Sequence, residues 1–123
     1  MRVACIRLED GRTQNGQSDG WLRVGDEYTV LALETDIRGP RAEDRAVFRI
    51  ADKRGGAPGL LGAYLFRVVD GRLPTAWHAI VNERGNLEIG PEAWLEPGYW
   101  ERFFDSDPDA KREFEQAAQD IGC

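Results

Sequence analysis

The stretch Trp21 to Leu33, WLRVGDEYTVLAL, decides how the rest of the chain is read. Gly25 permits backbone angles that other residues resist, and Asp26 can hydrogen-bond its own backbone. Val24 to Glu27 therefore reads as a tight turn that feeds a strand. The strand itself is Tyr28 to Leu33, apolar throughout apart from Thr29. With a period of two, Tyr28, Val30 and Ala32 fall on one face and Thr29, Leu31 and Leu33 on the other. Both faces are largely apolar, so the strand should be covered on both sides.

Working outward, period-two segments recur on either side. Arg2 to Leu8 reads as a strand with Ala4, Ile6 and Leu8 on one face. Asp10 to Gly20 carries three glycines and no large apolar residue, which predicts a long loop ended by Trp21 and Leu22 returning to the core. After a second loop, Glu34 to Asp44, the segment Ala46 to Ala51 is a strand with Phe48 and Ile50 inward and Arg49 outward. Asp52 to Gly59 is a glycine-rich turn, and Tyr64 to Val69 is the next strand. Ala76–Val81 and Leu87–Ile89 flank Glu83-Arg84-Gly85-Asn86 as a hairpin. No helical crossover separates these strands, and parallel pairs need long connections, so pairing should be antiparallel.

The character changes after Gly90. Gly90 to Leu95 begins a helical turn, Pro97-Gly98 interrupts it, and Tyr99 to Phe104 is a second short helical piece. Asp107-Pro108-Asp109 then signals a helix start: Asp107 as N-cap, proline in the first turn, Asp109 near the positive end of the dipole, and Gly122 past the end. Ala110, Phe114, Ala117, Ala118 and Ile121 recur at helical spacing on one face. The expected fold is mainly β (α+β): a single domain over residues 1–123. Residues 1–90 form a partly open antiparallel small barrel of five or six strands, and 91–123 an integral helical segment packed on it.

Composition bounds the function. The 123 residues are 41% apolar and 31% charged, with a net charge of −6, as in an ordinary soluble globular chain. Residues 1–91 carry 13 acidic and 13 basic side chains, whereas residues 92–123 carry 9 acidic and 3 basic. The whole excess lies in the last quarter, which disfavours phosphate contacts there and suits a basic protein partner. The start MRVACIRLED lacks the apolar stretch of about 7–15 residues that a signal peptide needs. No run reaches the roughly 20 apolar residues of a membrane span. The expectation is a cytoplasmic chain whose two cysteines, Cys5 and Cys123, are free thiols.

Motifs for chemistry are sparse. Two cysteines and one histidine do not make a four-ligand zinc site. His78 has no recognisable nucleophile or orienting carboxylate in the sequence. Asp105-Ser106-Asp107-Pro108-Asp109 begins like a calcium loop, but Ala110 stands where glycine is needed and Gln116 where the last glutamate is needed. Gly55 to Gly62 lacks the Gly-Lys-Ser/Thr ending of a phosphate loop. Carboxylates paired in space for glycoside hydrolysis leave no mark in a sequence. The reading is accordingly no enzyme, no cofactor and no metal.

Trp94, Tyr99, Trp100, Phe103 and Phe104 lie within eleven residues, interleaved with Glu96 and Glu101. Most of these rings should cover the open side of the barrel, leaving one or two partly exposed. Such rings dominate binding hot spots. The expected partner-binding residues are Glu96, Tyr99, Trp100, Glu101, Asp105, Asp107 and Asp109.

Residues 21–69 resemble a Src-homology-type small β-barrel, through Val24-Gly25-Asp26-Glu27-Tyr28-Thr29-Val30-Leu31, Phe48-Arg49-Ile50 and Tyr64-Leu65-Phe66-Arg67-Val68-Val69. The acidic-aromatic loop pattern of the peptide-binding versions is absent, and the barrel serves unrelated functions. Ala93 to Phe104 is similar to segments of small standalone bacterial proteins. The chain as a whole resembles bacterial immunity proteins, which are short, acidic, cytoplasmic single domains. Arginine outnumbers lysine 14 to 2, as in GC-rich bacteria. The resemblance implies a non-catalytic inhibitor of a basic partner such as a toxin. The alternative is a regulatory or nucleic-acid-associated barrel adaptor using Arg38, Arg41, Arg45, Arg49, Lys53 and Arg54. An enzyme, or a domain serving only inside a larger assembly, is the third class.

Overall fold

A computed structural model describes residues 1–7, 22–53 and 57–121. The expectations for Leu8, the Asp10–Gly20 loop, Trp21, Arg54, Gly55, Gly56, Gly122 and Cys123 lie outside the described residues. Among the described residues there are seven strands: β1 (Arg2–Cys5), β2 (Glu27–Thr35), β3 (Ala46–Ile50), β4 (Gly59–Gly62), β5 (Phe66–Asp70), β6 (Trp77–Val81) and β7 (Leu87–Pro91). Two helices follow, α1 (Tyr99–Phe104) and α2 (Pro108–Ile121). The fold is thus a mainly β, antiparallel, open sheet with short C-terminal helices, as the sequence predicts.

The strand order is β4-β3-β2-β1-β5, with β7 also joined to β2 and β6 to β7. Every pairing is antiparallel. The strand that the sequence reading omits is β4, whose Gly59-Leu60-Leu61-Gly62 sits in a glycine-rich stretch. It pairs Leu61 with Phe48 and Leu60 with Arg49, so cross-strand contact outweighs the weak strand propensity of its glycines. The next segment also starts later than expected. Ala63–Leu65 is a single 3-10 turn, and the strand begins only at Phe66.

Gly25 earns its place by conformation, not by space: its φ is +96° and a Cβ there would meet nothing within 4 Å. Its N–H donates to the Cys5 carbonyl at 2.8 Å, tying the turn to the end of β1. Gly90 is the opposite case. A Cβ on it would stand 3.0 Å from the Ala32 Cβ, so the pair of small residues lets β7 close against β2.

The faces of β2 do not alternate as the sequence suggests. The register with β3 shifts between Val30, opposite Ile50, and Ala32, opposite Arg49. Leu31 is the extra residue of this irregularity, and such a bulge re-aims the side chains that follow it. Tyr28 and Val30 therefore share a core with Val3, Cys5, Ile50 and Phe66, and Leu33 packs against that same core. Leu31 and Ala32 instead face a second core built from Trp94, Tyr99, Phe103 and Ala110. The expected grouping of Ala32 with Tyr28, and of Leu33 with Leu31, is corrected by the bulge.

The second core comes from the segment after Gly90. A 3-10 turn, Glu92–Leu95, carries Trp94 inward. Asp107 caps α2 as expected, its carboxylate accepting the Asp109 backbone N–H at 2.9 Å. The apolar stripe of α2 lies on the second core through Ala110, Phe114, Ala117 and Ile121.

Candidate functional site

In α1, about 100° separates successive residues, so Tyr99 and Phe103 share one face and Phe104 stands well away from it. Tyr99 and Phe103 are buried. The Tyr99 hydroxyl donates to the Ala110 carbonyl at 2.8 Å, pinning α1 to the start of α2. Burial, and secondarily the Glu113 carboxylate, push its phenol up to about 12. Tyr99 is among the expected partner-binding residues, and here it is corrected: a ring only 1% exposed offers a partner no surface.

Trp100 is half-buried and stands beside the core. Its ring takes the Arg49 guanidinium at 3.7 Å from the ring centre. Arg49 in turn donates through Nη2 to Glu34 Oε2 at 2.7 Å. Arg49 is expected outward, on the face opposite Phe48 and Ile50. It leaves the first core as expected, but the C-terminal segment covers the other face of β3, and the side chain ends 6% exposed. The Arg49 Nε and the Trp94 Nε1 are buried without a hydrogen-bond partner among the described residues.

The aspartates divide. Asp107 is engaged by the Asp109 N–H and lies 3.5 Å from Arg102. The Asp109 and Ala110 backbone N–H groups, with Arg102, hold its carboxyl below the usual carboxylate range. Asp109 pairs with Arg112. These two carboxylates serve the helix start. Glu96, Glu101 and Asp105 are exposed and have no ion pair or side-chain hydrogen bond among the described residues. Glu101 and Asp105 stand four residues apart at the end of α1, on neighbouring surface positions. Between them in sequence is Phe104, 57% exposed, its ring edge-on to Phe103 at 5.1 Å. The seven expected residues thus resolve into an exposed trio of carboxylates, one capping aspartate, one aspartate paired with Arg112, a half-buried tryptophan and a buried tyrosine. Phe104, absent from that set, is the exposed ring. The helical wheel of α1 carries the signal: once Tyr99 and Phe103 point inward, Phe104 is the aromatic furthest from them.

Other chemistry-bearing groups are engaged elsewhere. His78 Nε2 stands 3.3 Å from Glu92 Oε2, both exposed, and no hydroxyl or thiol bonds the imidazole among the described residues. A groove of about 530 Å³ between the start of β2 and α2 has Leu31, Ala51, Phe114 and Ala118 in its walls. Its charged rim is satisfied internally: Arg2 pairs with Glu27 at 2.7 Å, and Lys53 lies 3.6 Å from Asp26 and over the Tyr28 ring. Of the basic residues considered for nucleic acid, Arg49 is buried, Arg41 lies 3.7 Å from Glu43 and Arg45 donates to the Gly39 carbonyl. Among the described residues no group of three or more His, Cys, Asp or Glu side chains is placed to hold a metal ion. No helix among them is long and apolar enough to cross a membrane.

Set against known protein families, curated proteins and solved structures, the chain matches none of them.

Proposed function

We propose that this chain is a non-catalytic protein-binding module of the immunity or inhibitor kind. It meets a basic partner, such as a toxin domain, through the end of α1. The observation that carries the reading is Phe104, an exposed ring flanked by the carboxylates of Glu101 and Asp105, which have no ion pair among the described residues, with Glu96 a turn before. An aromatic anchor gives desolvated contact area, and a carboxylate rim gives electrostatic steering toward a positively charged target. Facing a nuclease toxin, these carboxylates would occupy positions otherwise taken by substrate phosphates.

The test begins with the product of the adjoining gene as candidate partner. Binding kinetics are measured across a salt series for the native chain, for the triple reversal Glu96→Lys, Glu101→Lys, Asp105→Lys, and for Phe104→Ala. The reversal is expected to slow association about tenfold or more at low salt and to flatten its salt dependence. Phe104→Ala is expected to speed dissociation and cost about 2 kcal/mol of affinity. A partner that binds both variants as it binds the native chain rules the site out.

A further inference from the structure

We infer that the free edge of β6 is a self-pairing surface, through which two copies of this chain join their sheets about a two-fold axis at Ala79. Among the described residues β6 pairs only with β7. The phase of that pairing is fixed at the hairpin end, where the Asn82 N–H donates to the Asn86 carbonyl at 2.9 Å. In an antiparallel pair, bonded and non-bonded positions alternate. His78, opposite Gly90, and Ile80, opposite Glu88, therefore turn their backbone groups toward β7. Trp77, Ala79 and Val81 turn theirs away. Pro91, which has no N–H, sits opposite Trp77 at a position where none is required. The Trp77 N–H is taken by the Pro74 carbonyl at 3.1 Å. Among the described residues, the N–H groups of Ala79 and Val81 and the carbonyls of Trp77 and Ala79 remain as a row of donors and acceptors along the edge away from β7.

Free edges in monomeric proteins are usually blunted by lysine, proline, a bulge or an inward charge. Trp77-His78-Ala79-Ile80-Val81 carries none of these, and its pairing with β7 runs without a register shift. The other outer strands differ: β5 holds Arg67 and Asp70 along its length, and β4 is four residues with glycine at each end. Val81 is 69% exposed beside its cross-strand neighbour Leu87 at 39%, and Ile37, which reaches the same hairpin, is 60% exposed.

A second copy is the occupant that satisfies this edge symmetrically. Around a two-fold axis at Ala79, each Ala79 N–H meets the other Ala79 carbonyl, and each Val81 N–H meets the Trp77 carbonyl of the second copy. Val81 then lies opposite the indole of Trp77, a cross-strand pair of aromatic and β-branched side chains. The acidic excess lies after Pro91, outside the strand itself, and its first member, Glu92, is held 3.3 Å from His78.

Sedimentation velocity on the full chain from micromolar to millimolar concentration tests the inference. The expected result is a monomer–dimer equilibrium that stops at two subunits, weakened about tenfold or more by Ala79→Pro and by Val81→Lys. Ala79→Pro removes an N–H that faces the open edge and leaves the bonds to β7 in place, so circular dichroism and the melting temperature should stay near native. If that variant fails to fold, Val81→Lys decides alone. A chain that stays monomeric throughout the range overturns the inference. So does a dimer that neither variant weakens, or an edge that takes up a foreign extended peptide in preference to a second copy.

Discussion

The two faces of β2 are covered in different ways. On one face the sheet closes over itself: Val3, Val30, Ile50 and Leu61 come from neighbouring strands and meet as aliphatic side chains around Tyr28 and Phe66. On the other face the cover arrives from a segment some sixty residues later, and it is aromatic. Trp94 stacks on Phe114 with ring centres 5.2 Å apart, Trp100 meets Phe103 edge-on at 5.3 Å, and a buried arginine lies over Trp100. Strands supply aliphatic residues whose alternation fits them to a pleated sheet. A pair of short helices with few inward positions must fill the same space with large rings. The outcome is a layer whose inner side stabilises the fold and whose outer side carries Phe104 and exposed carboxylates.

The strongest way to break that comparison is Trp94→Ala. The ring is almost fully buried, and truncations of this size cost about 3–5 kcal/mol, measurable by urea unfolding. A matching change on the sheet side, Ile50→Val, should cost only about 0.5–1.5 kcal/mol. Truncation of the chain at Gly90 should abolish the fold, because Leu31 and Ala32 would lose their cover. A stable product would show that the helical layer is an accessory to the sheet and not half of its core.

The next effect concerns the charge inside the aromatic layer. Glu34→Gln leaves the Arg49 guanidinium buried against Trp100 without its carboxylate, at a cost of about 1–3 kcal/mol. The double change Arg49→Met, Glu34→Met should cost less than this single one, since an apolar replacement of both partners of a buried pair is often neutral. The Arg49 Nε already lacks a partner among the described residues, which adds to the case. If the double variant is the less stable of the two, the ion pair is a net contributor.

The smallest effect is at Tyr99. Tyr99→Phe removes the bond to the Ala110 carbonyl, worth about 0.5–1.5 kcal/mol at neutral pH. Its pH signature is sharper. The folded phenol titrates at about 12, above the value near 10 for an unfolded tyrosine. The raised value contributes stability below pH 10 that is lost as pH climbs toward 12. Denaturation midpoints measured from about pH 9 upward should therefore fall less steeply in Tyr99→Phe than in the native chain. Tyr28 and Cys5, both also raised by burial, contribute to the slope that remains.

Much of this was legible from residue periods alone. Strands at β1, β2, β3, β6 and β7 follow from alternation and turn residues, and α2 follows from Asp107-Pro108 and its apolar stripe. What escaped was whatever depends on partners distant in sequence. Gly59 to Gly62 pairs because β3 offers an edge, which no local propensity reveals. A single unpaired residue at Leu31 moved Ala32 and Leu33 to faces opposite those that simple alternation assigns. Arg49 alternates outward from the first core as expected, yet outward there means under Trp100. The candidate site was legible in region and charge but not in its anchor: α1 directs Tyr99 inward and Phe104 outward, and only the position of the sheet fixes that rotation.

The burial of β2 on both faces has a thermodynamic consequence. One continuous backbone supplies Val30 to the first core and Leu31 to the second, so neither can melt while the other keeps its strand in place. The two cores are bound to a single folding transition, and calorimetry should return equal calorimetric and van't Hoff enthalpies for the whole chain. Local fluctuation is then confined to parts that leave this strand untouched, such as the hairpin tip at Glu83-Arg84. The end of α1, built on rings that rest against Leu31, inherits the rigidity of the entire molecule.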